Sequence, residues 1–391
     1  MKILITSDCY LPTVNGVVTS IQQLSENLKL QGHDVRILTL SQSLRTYVEG
    51  DVTYLASMDA DLIYPDARIR LPVLNEEIAS LLKWGPEVIH TQSEFSSYLV
   101  ARRMMHRLDV PIVHTYHTAY EDYTHYFSPS ERLGKAIVAS ASRAFCRKLQ
   151  AVIAPTEKVR KMLEGYGIGP DGCKVYVVPT GIDSAPFSDR SGREEFRAKY
   201  GISPDECLLV AVGRLGKEKN YEEILEYLAE YNNKDLRLLV VGDGPNRANL
   251  EELAKELGLE EQVVFAGMIP HSEIGICYSS ADMFVCASSS ETQGLTYLEA
   301  QAASLPILCR RDECLSDVII DGYNGWQYNS YSEFAEYLTK LLDCDLRQNM
   351  GAAAKAHMEK YYSAAAFARK VVEIYGEVIA SYTPDAEEDS K

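Results

Sequence analysis

Two glutamates stand on either side of a glycine in the stretch SSSETQGLTYLEAQAASLP, residues 288–306. The preceding ADMFVCA reads as a buried strand, the small residues after it as a loop, and LTYLEAQAA as a helix whose first amides belong to Gly294, Leu295 and Thr296. Such a helix start offers N–H donors and the positive end of the helix dipole to an anion, and a diphosphate fits that description. Glu299 falls one turn inside the helix, about 5 Å along its axis, while Glu291 precedes it on the loop. With a diphosphate at the amides, each carboxylate can accept from neutral hydroxyls on one flank, a ribose on one side and a sugar on the other. Alone, this spacing is more often a capping acid followed by a solvated helix acid. The reading therefore depends on what neighbouring strand ends contribute.

They contribute cations. VAVGRLGKEKN places Arg214 directly after an apolar strand and Lys219 five residues later. Their charges balance a diphosphate without a metal ion, the guanidinium by forked contacts and the ammonium as a point charge. VVGDGPNRANLEEL supplies a tight Gly-Asp-Gly-Pro turn into a helix, and VVFAGMIP brings Gly267 and Met268 to the same sheet edge. A glycine turn or a surface cation is commonplace; their combination at successive strand ends is specific.

The first half carries a second set. PTVNGVVTSIQQL puts Gly16 between a first strand and a helix, where backbone can approach a ligand closely. HTYHTAYEDYTHY packs His114, His117 and His125 among tyrosines and acids after the strand PIV. Zinc is the obvious suggestion, but the spacing is unfamiliar and no fourth ligand is evident. No metal site is expected. A core histidine satisfied by backbone is the plain alternative for His117.

Positioning these residues requires an α/β framework. KILITS, a segment of helical period through Val17, Ile21, Leu24 and Leu28, and GHDVRILTL form an opening βαβ unit. PEVIHTQ, PIVHTYH, AVIAPTE and KVYVVPTGI continue it; CLLVAVGRL, LRLLVVGDG, QVVFAGMI, ADMFVCAS and LPILCR start a second series after a polar junction near residues 182–190. Short buried strands alternating with helices imply parallel sheets covered on both faces. The expected fold is α/β, two Rossmann-like domains facing across a cleft, with ligands at the carboxyl ends of the strands. The boundaries are 1–183 for a first Rossmann-like domain, 184–364 for a second, 365–382 for a helix returning to the first domain, and 383–391 for a disordered acidic tail.

A net charge of −17 argues against a nucleic-acid partner. The average conceals a polarity: residues 98–161 hold eleven Lys and Arg against five Asp and Glu, a balance of +6 that leaves −23 for the remainder. Nine scattered cysteines without a C-x-x-C pair read as reduced thiols. No apolar run reaches the length of a membrane span, and the start of the chain lacks signal-peptide character. The expected location is the cytoplasm, peripherally on the inner face of the cell membrane. SERLGKAIVASASRAFCRKLQ aligns Leu133, Ile137, Ala141 and Phe145 on one helical face, with Arg132, Lys135, Arg143, Arg147 and Lys148 around it. That pattern suits an interfacial helix on anionic lipid and equally suits a core-facing helix.

These motifs resemble those of retaining nucleotide-sugar glycosyltransferases of the GT-B fold, of the glycosyltransferase family 4 type, and the resemblance covers nearly the whole chain. It implies that Arg214 and Lys219 hold the diphosphate, Glu299 the ribose and Glu291 the donor sugar. Backbone at Gly16, Gly294, Leu295 and Thr296 completes the donor site, and the base stacks near Met268. His117 would face the donor sugar and the acceptor. The family often has a phenylalanine where this chain has Gln293, which leaves the contacts around Gly294 open. The resemblance further implies a front-face route in which the leaving diphosphate takes the acceptor proton, with a UDP-sugar as co-substrate and no essential metal. HTYHTAYEDYTHY and SETQGLTYLEA look particularly similar to bacterial diacylglycerol glucosyltransferases. The implied activity is transfer of a hexose, glucose from UDP-glucose, to diacylglycerol or monoglucosyldiacylglycerol. A soluble or lipid-phosphate acceptor, and a non-catalytic homologue that stabilises a partner, are the alternatives.

Overall fold

The computed structural model describes residues 1–13, 15–60, 68–71, 73, 75–118, 130–147, 149–169, 173–288 and 291–383. They form two compact units, one of Met1–Gly181 with the segment from Ala364 onward, the other of Ile182–Ser363.

The first unit is built on strands β1 (Lys2–Thr6), β2 (Asp34–Leu40), β3 (Tyr47–Glu49), β4 (Val52–Leu55), β5 (Met58–Asp59), β6 (Arg68–Ile69), β7 (Val88–Thr91), β8 (Ile112–Thr115), β9 (Ala151–Ala154) and β10 (Lys174–Val177). Its helices are α1 (Gly16–Leu30), α2 (Glu76–Trp84), α3 (Ser96–Leu108), α4 (Glu131–Cys146) and α5 (Glu157–Gly165). The main sheet runs β10-β9-β8-β7-β1-β2-β4-β3, with β5 and β6 as a separate ribbon. It is parallel except for the β3–β4 pair. Alternate residues of one strand feed opposite cores: Leu4, Ile89 and Ile112 pack on one face, Ile3, Ile5, Val88 and Val113 on the other. Both faces are covered, so the strands read as continuous apolar runs. Asparagine or threonine caps start α1, α2 and α5, each side chain accepting from an amide three residues on.

The second unit contains α6 (Arg193–Lys199), β11 (Cys207–Val212), α7 (Tyr221–Tyr231), β12 (Leu236–Val241), α8 (Arg247–Glu256), β13 (Val263–Gly267), α9 (His271–Ser280), β14 (Met283–Cys286), α10 (Leu295–Ala302), β15 (Ile307–Arg310), β16 (Gly325–Tyr328), α11 (Tyr331–Leu341) and α12 (Cys344–Tyr361). Its parallel sheet has the order β13-β12-β11-β14-β15-β16. Leu208 and Val210 pack on one face while Leu209 and Ala211 pack on the other. Burying each of these leucines and Val210 contributes roughly 1.5–3 kcal/mol.

The chain returns to the first unit through α13 (Ala364–Ser381), whose Phe367, Val371, Ile374 and Tyr375 join Ile3, Ile21 and Leu24 in one core. Entry to and exit from the second unit lie side by side: Ile182 bridges Ser363, and its amide donates to the Tyr362 carbonyl at 2.8 Å.

Candidate active site

In the second unit the loops after β11, β12 and β13 are woven together through backbone. Gly213 N donates to Val241 O (3.0 Å), Leu215 N to Asp243 O (2.9 Å), Gly242 N to Gly267 O (2.9 Å), and Asn246 N to Leu215 O (2.9 Å). A Cβ on Gly242 would come within 2.0 Å of the Gly213 carbonyl oxygen, and one on Gly244 within 2.6 Å of the Leu215 oxygen. The Gly-Asp-Gly turn therefore lets two strand ends touch, which fixes where Arg214 leaves the sheet. Sequence reasoning reached only a βα turn here.

Lys219 ends a single 3-10 turn, Lys217–Lys219, and Asn220 follows with φ of 51° before α7 begins. Its ammonium lies 2.5 Å from Glu291 Oε1, and both side chains are largely withdrawn from solvent. β11 and β14 are neighbours in the sheet, so residues far apart in sequence meet at one edge. The cation expected at the diphosphate and the acid expected at the sugar thus pair with each other. Such a pair, partly dried, restrains both side chains. Glu291 N also lies 3.4 Å from Asp312 Oδ2, while Asp312 Oδ1 caps the turn at Glu313–Leu315.

Gly294 caps α10 in the left-handed region, φ 76°, and a Cβ there would press to 2.6 Å against the Tyr297 ring. Only glycine fits this start of the helix, whose first free amides are those of Leu295 and Thr296. Glu299 is half-buried one turn later, and its Oε2 accepts from the Tyr278 hydroxyl at 2.7 Å. Burial pushes its pKa up to about 7, with the tyrosine hydrogen bond opposing. Met268, 63% exposed, follows β13 on the outer side of the sheet. The structure therefore gathers Arg214, Lys219, Glu291, Gly294, Leu295, Thr296 and Glu299 at the ends of β11 and β14, with Met268 two strands from β11.

Gly16 and His117 belong to the first unit. Gly16 is the first residue of α1, where the Asn15 side chain accepts from Val18 N at 3.0 Å. His117 follows β8 and sits 2.6 Å from Gln92 Oε1. With that oxygen as acceptor the ring proton is on Nε2 and Nδ1 is left as an acceptor. Burial, reinforced by His114, lowers its pKa to about 4, so the ring is neutral at pH 7. His114 is held separately, by Thr91 Oγ1 at 2.8 Å and Glu94 at 3.3 Å. Gln92 and Glu94 escaped the sequence reading because nothing in QSEF marks them as partners of histidines twenty or more residues away. Asp8 also escaped it: its carboxylate accepts from Ser97 N at the start of α3 (2.7 Å), and burial raises its pKa to about 6. His125 lies outside the described residues, and among those described no cluster of His, Cys, Asp or Glu could hold a metal.

On α4 the expected stripe divides. Leu133 and Ile137 are 55% and 49% exposed, with Arg132, Lys135 and Ala141 also outward. Phe145 instead turns inward against Tyr98 and His114, at ring centroid distances of 4.3 and 4.8 Å. Arg143 donates from Nε to the Tyr166 carbonyl at 2.5 Å and so ties α4 to the end of α5. Arg147 is exposed, and Lys148 lies outside the described residues. No described helix is long and apolar enough to cross a membrane.

The fold is that of solved glycosyltransferases of the GT-B class. Sucrose-phosphate synthase from Thermosynechococcus elongatus superposes with a TM-score of 0.77 at 20% identity, over 97% of this chain and 99% of that one. Anabaena Alr3699/HepE, solved in complex with UDP and glucose, gives 0.75 at 15% identity, over 96% and 100%. The family description Glycosyltransferase Family 4 matches residues 14–185, and Glycosyl transferases group 1 matches residues 192–357. The alpha-monoglucosyldiacylglycerol synthase of Streptococcus pneumoniae (strain ATCC BAA-255 / R6) is 33% identical over 390 residues, 97% of this chain and 87% of that protein. The synthase of the same name from Acholeplasma laidlawii is 30% identical over 357 residues, covering 87% and 88%. The chain belongs to this glycosyltransferase family, and it is an enzyme.

Proposed function

We propose that the protein transfers glucose from UDP-glucose to diacylglycerol, with retention of configuration, to give a membrane glycolipid. The observation that carries this reading is the convergence of Arg214, the Lys219–Glu291 pair, the α10 amides and Glu299 at one sheet edge. The two relatives named for monoglucosyldiacylglycerol synthesis support the acceptor. Arg214 and Lys219 neutralise the charge that builds on the departing diphosphate, which is the largest contribution asked of the protein. No metal is required for that balance. Glu299 accepts from the ribose and Glu291 from the sugar hydroxyls, while Met268 offers a face to the base. In the first unit, the Gly16 amide is a donor suited to an anion, and neutral His117, with Nδ1 as acceptor, is suited to orient a hydroxyl. In the front-face route the acceptor proton passes to the leaving phosphate oxygen as the glycosidic bond forms on the face the phosphate vacates.

An anionic bilayer is the second partner, met by α4 through Leu133 and Ile137 with Arg132, Lys135 and Arg147 beside them. Mass spectrometry and anomeric analysis of products from a panel of nucleotide sugars, offered with diacylglycerol and its monoglucoside, test the proposal. The expected product is an α-monoglucoside made from UDP-glucose. A β-anomer, or transfer only to water-soluble acceptors, overturns it.

A further inference from the structure

Beyond α4, the first unit carries a second set of exposed apolar residues. Phe95 and Leu99, at the start of α3, are 62% and 44% exposed. Leu71 and Val73, after β6, are 69% and 61% exposed, and Ile69 joins them. The two segments touch: Arg70 N donates to Ser96 Oγ at 3.0 Å, which sets Ile69 and Leu71 on either side of that contact and Phe95 next to it. An exposed apolar group of this kind needs an occupant.

We infer that Phe95, Leu99, Ile69, Leu71 and Val73 form a docking surface for the acyl layer of an anionic bilayer. Two features identify that occupant. The first is charge. In a chain of net charge −17, α3 contains no acid, and its outward positions beyond Leu99 are Arg103, His106 and Arg107. Leu99 and Arg107 are separated by about 12 Å along the axis at 1.5 Å per residue. A helix with its apolar end in the acyl boundary, some 5–10 Å deep, thus brings its basic end to the anionic headgroups. The long basic side chains reach them without burying charge. The second feature is continuity. Phe95 directly follows Glu94, the partner of His114, and Gln92 just before it holds His117. The apolar surface therefore adjoins the polar residues at the carboxyl ends of β7 and β8. α3 also packs on α4 through Tyr98 and Phe145, so the surface extends the α4 contact rather than duplicating it.

This inference rests on the lipid-acceptor reading, and its test separates the two. Phe95→Ser/Leu99→Ser and the parent are sedimented with phosphatidylglycerol/phosphatidylcholine vesicles at low and high salt. They are also assayed with long-chain diacylglycerol in those vesicles and with a water-soluble short-chain diacylglycerol. The double variant should bind vesicles at least tenfold more weakly, with the deficit persisting at high salt because the lost contact is apolar. UDP affinity and short-chain turnover should stay within twofold of the parent. Phe95→Trp keeps the apolar character, and its emission, read as the difference from the parent, should shift to the blue on adding vesicles. Equal sedimentation of parent and double variant, no sedimentation of the parent, or an unshifted difference emission from Phe95→Trp overturns the docking surface. So does sedimentation velocity showing that the face instead joins two copies of the chain. A parent that binds vesicles through this face yet glucosylates neither diacylglycerol would leave the surface standing and remove the acceptor reading.

Discussion

Replacing Glu299 with glutamine removes a titrating carboxyl while keeping the size of the side chain and an oxygen for the Tyr278 hydroxyl. Burial raises this carboxyl from the usual 4.5 to about 7. A raised carboxyl pKa means that the folded state binds the proton more tightly than the unfolded chain, so its contribution to stability is complete below about pH 4.5 and is lost as pH climbs towards 7. With 1.36 kcal/mol per pKa unit, the loss between pH 5 and pH 8 is about 2–3 kcal/mol. For a unit of this size that is about 5–10 °C in melting temperature. Glutamine does not titrate. The variant's advantage over the parent, followed by calorimetry of the second unit's transition at pH 5, 6, 7 and 8, should therefore grow by that amount. Nucleotide binding should move the opposite way, because a neutral amide replaces a charged acceptor for the ribose, a difference of about 10–100-fold in UDP affinity at pH 8. A parent–variant difference in stability that stays constant from pH 5 to pH 8 would refute the raised carboxyl, and unchanged UDP affinity would refute its role at the ribose.

Lys219→Ala should lower kcat by about 100-fold or more and dissolve the ion pair with Glu291; near-normal turnover would remove Lys219 from the diphosphate. Gly242→Ala should destabilise the second unit by about 3 kcal/mol or more, since the new Cβ meets backbone that cannot swing aside; an unaltered denaturation midpoint would contradict the woven loops. Turnover is expected to survive EDTA, and a complete loss reversed by magnesium would refute charge balance by side chains alone. Arg132→Gln/Lys135→Gln should weaken attachment to anionic vesicles by about 1 kcal/mol per charge, and less as salt rises; binding that ignores both charge and salt would exclude electrostatic attachment of α4.

The parallel sheets were legible because strands buried on both faces leave uninterrupted apolar runs, and Ile3, Leu4 and Ile5 feed two cores in succession. The positions of Arg214, Glu291 and Glu299 relative to strand ends were legible for the same reason. Their partners were not. Lys219 and Glu291 come from loops after different strands, and Tyr278 reaches Glu299 from a separate helix, so no local spacing announces either contact. Glycine turns were visible, but the demand that Gly242 and Gly244 meet other backbone arises only when strand order is known. On α4, helical period placed Phe145 with Leu133 and Ile137, whereas packing drew it inward, because a ring near the end of the helix finds Tyr98 and His114 on the neighbouring elements.

The adjoining crossings at Ile182 and Ser363 make the second unit a single uninterrupted stretch, while the first is assembled from both ends of the chain. A ribosome therefore releases a complete second unit before the first has received α13. At about 5–20 residues per second, Ile3, Ile21 and Leu24 wait roughly twenty to seventy seconds for Phe367, Val371 and Tyr375 to cover them. The half of the protein made first is the half finished last, and its open sheet face is the one a nascent-chain chaperone would guard. Deleting α13 should leave the second unit folded and expose that apolar face permanently.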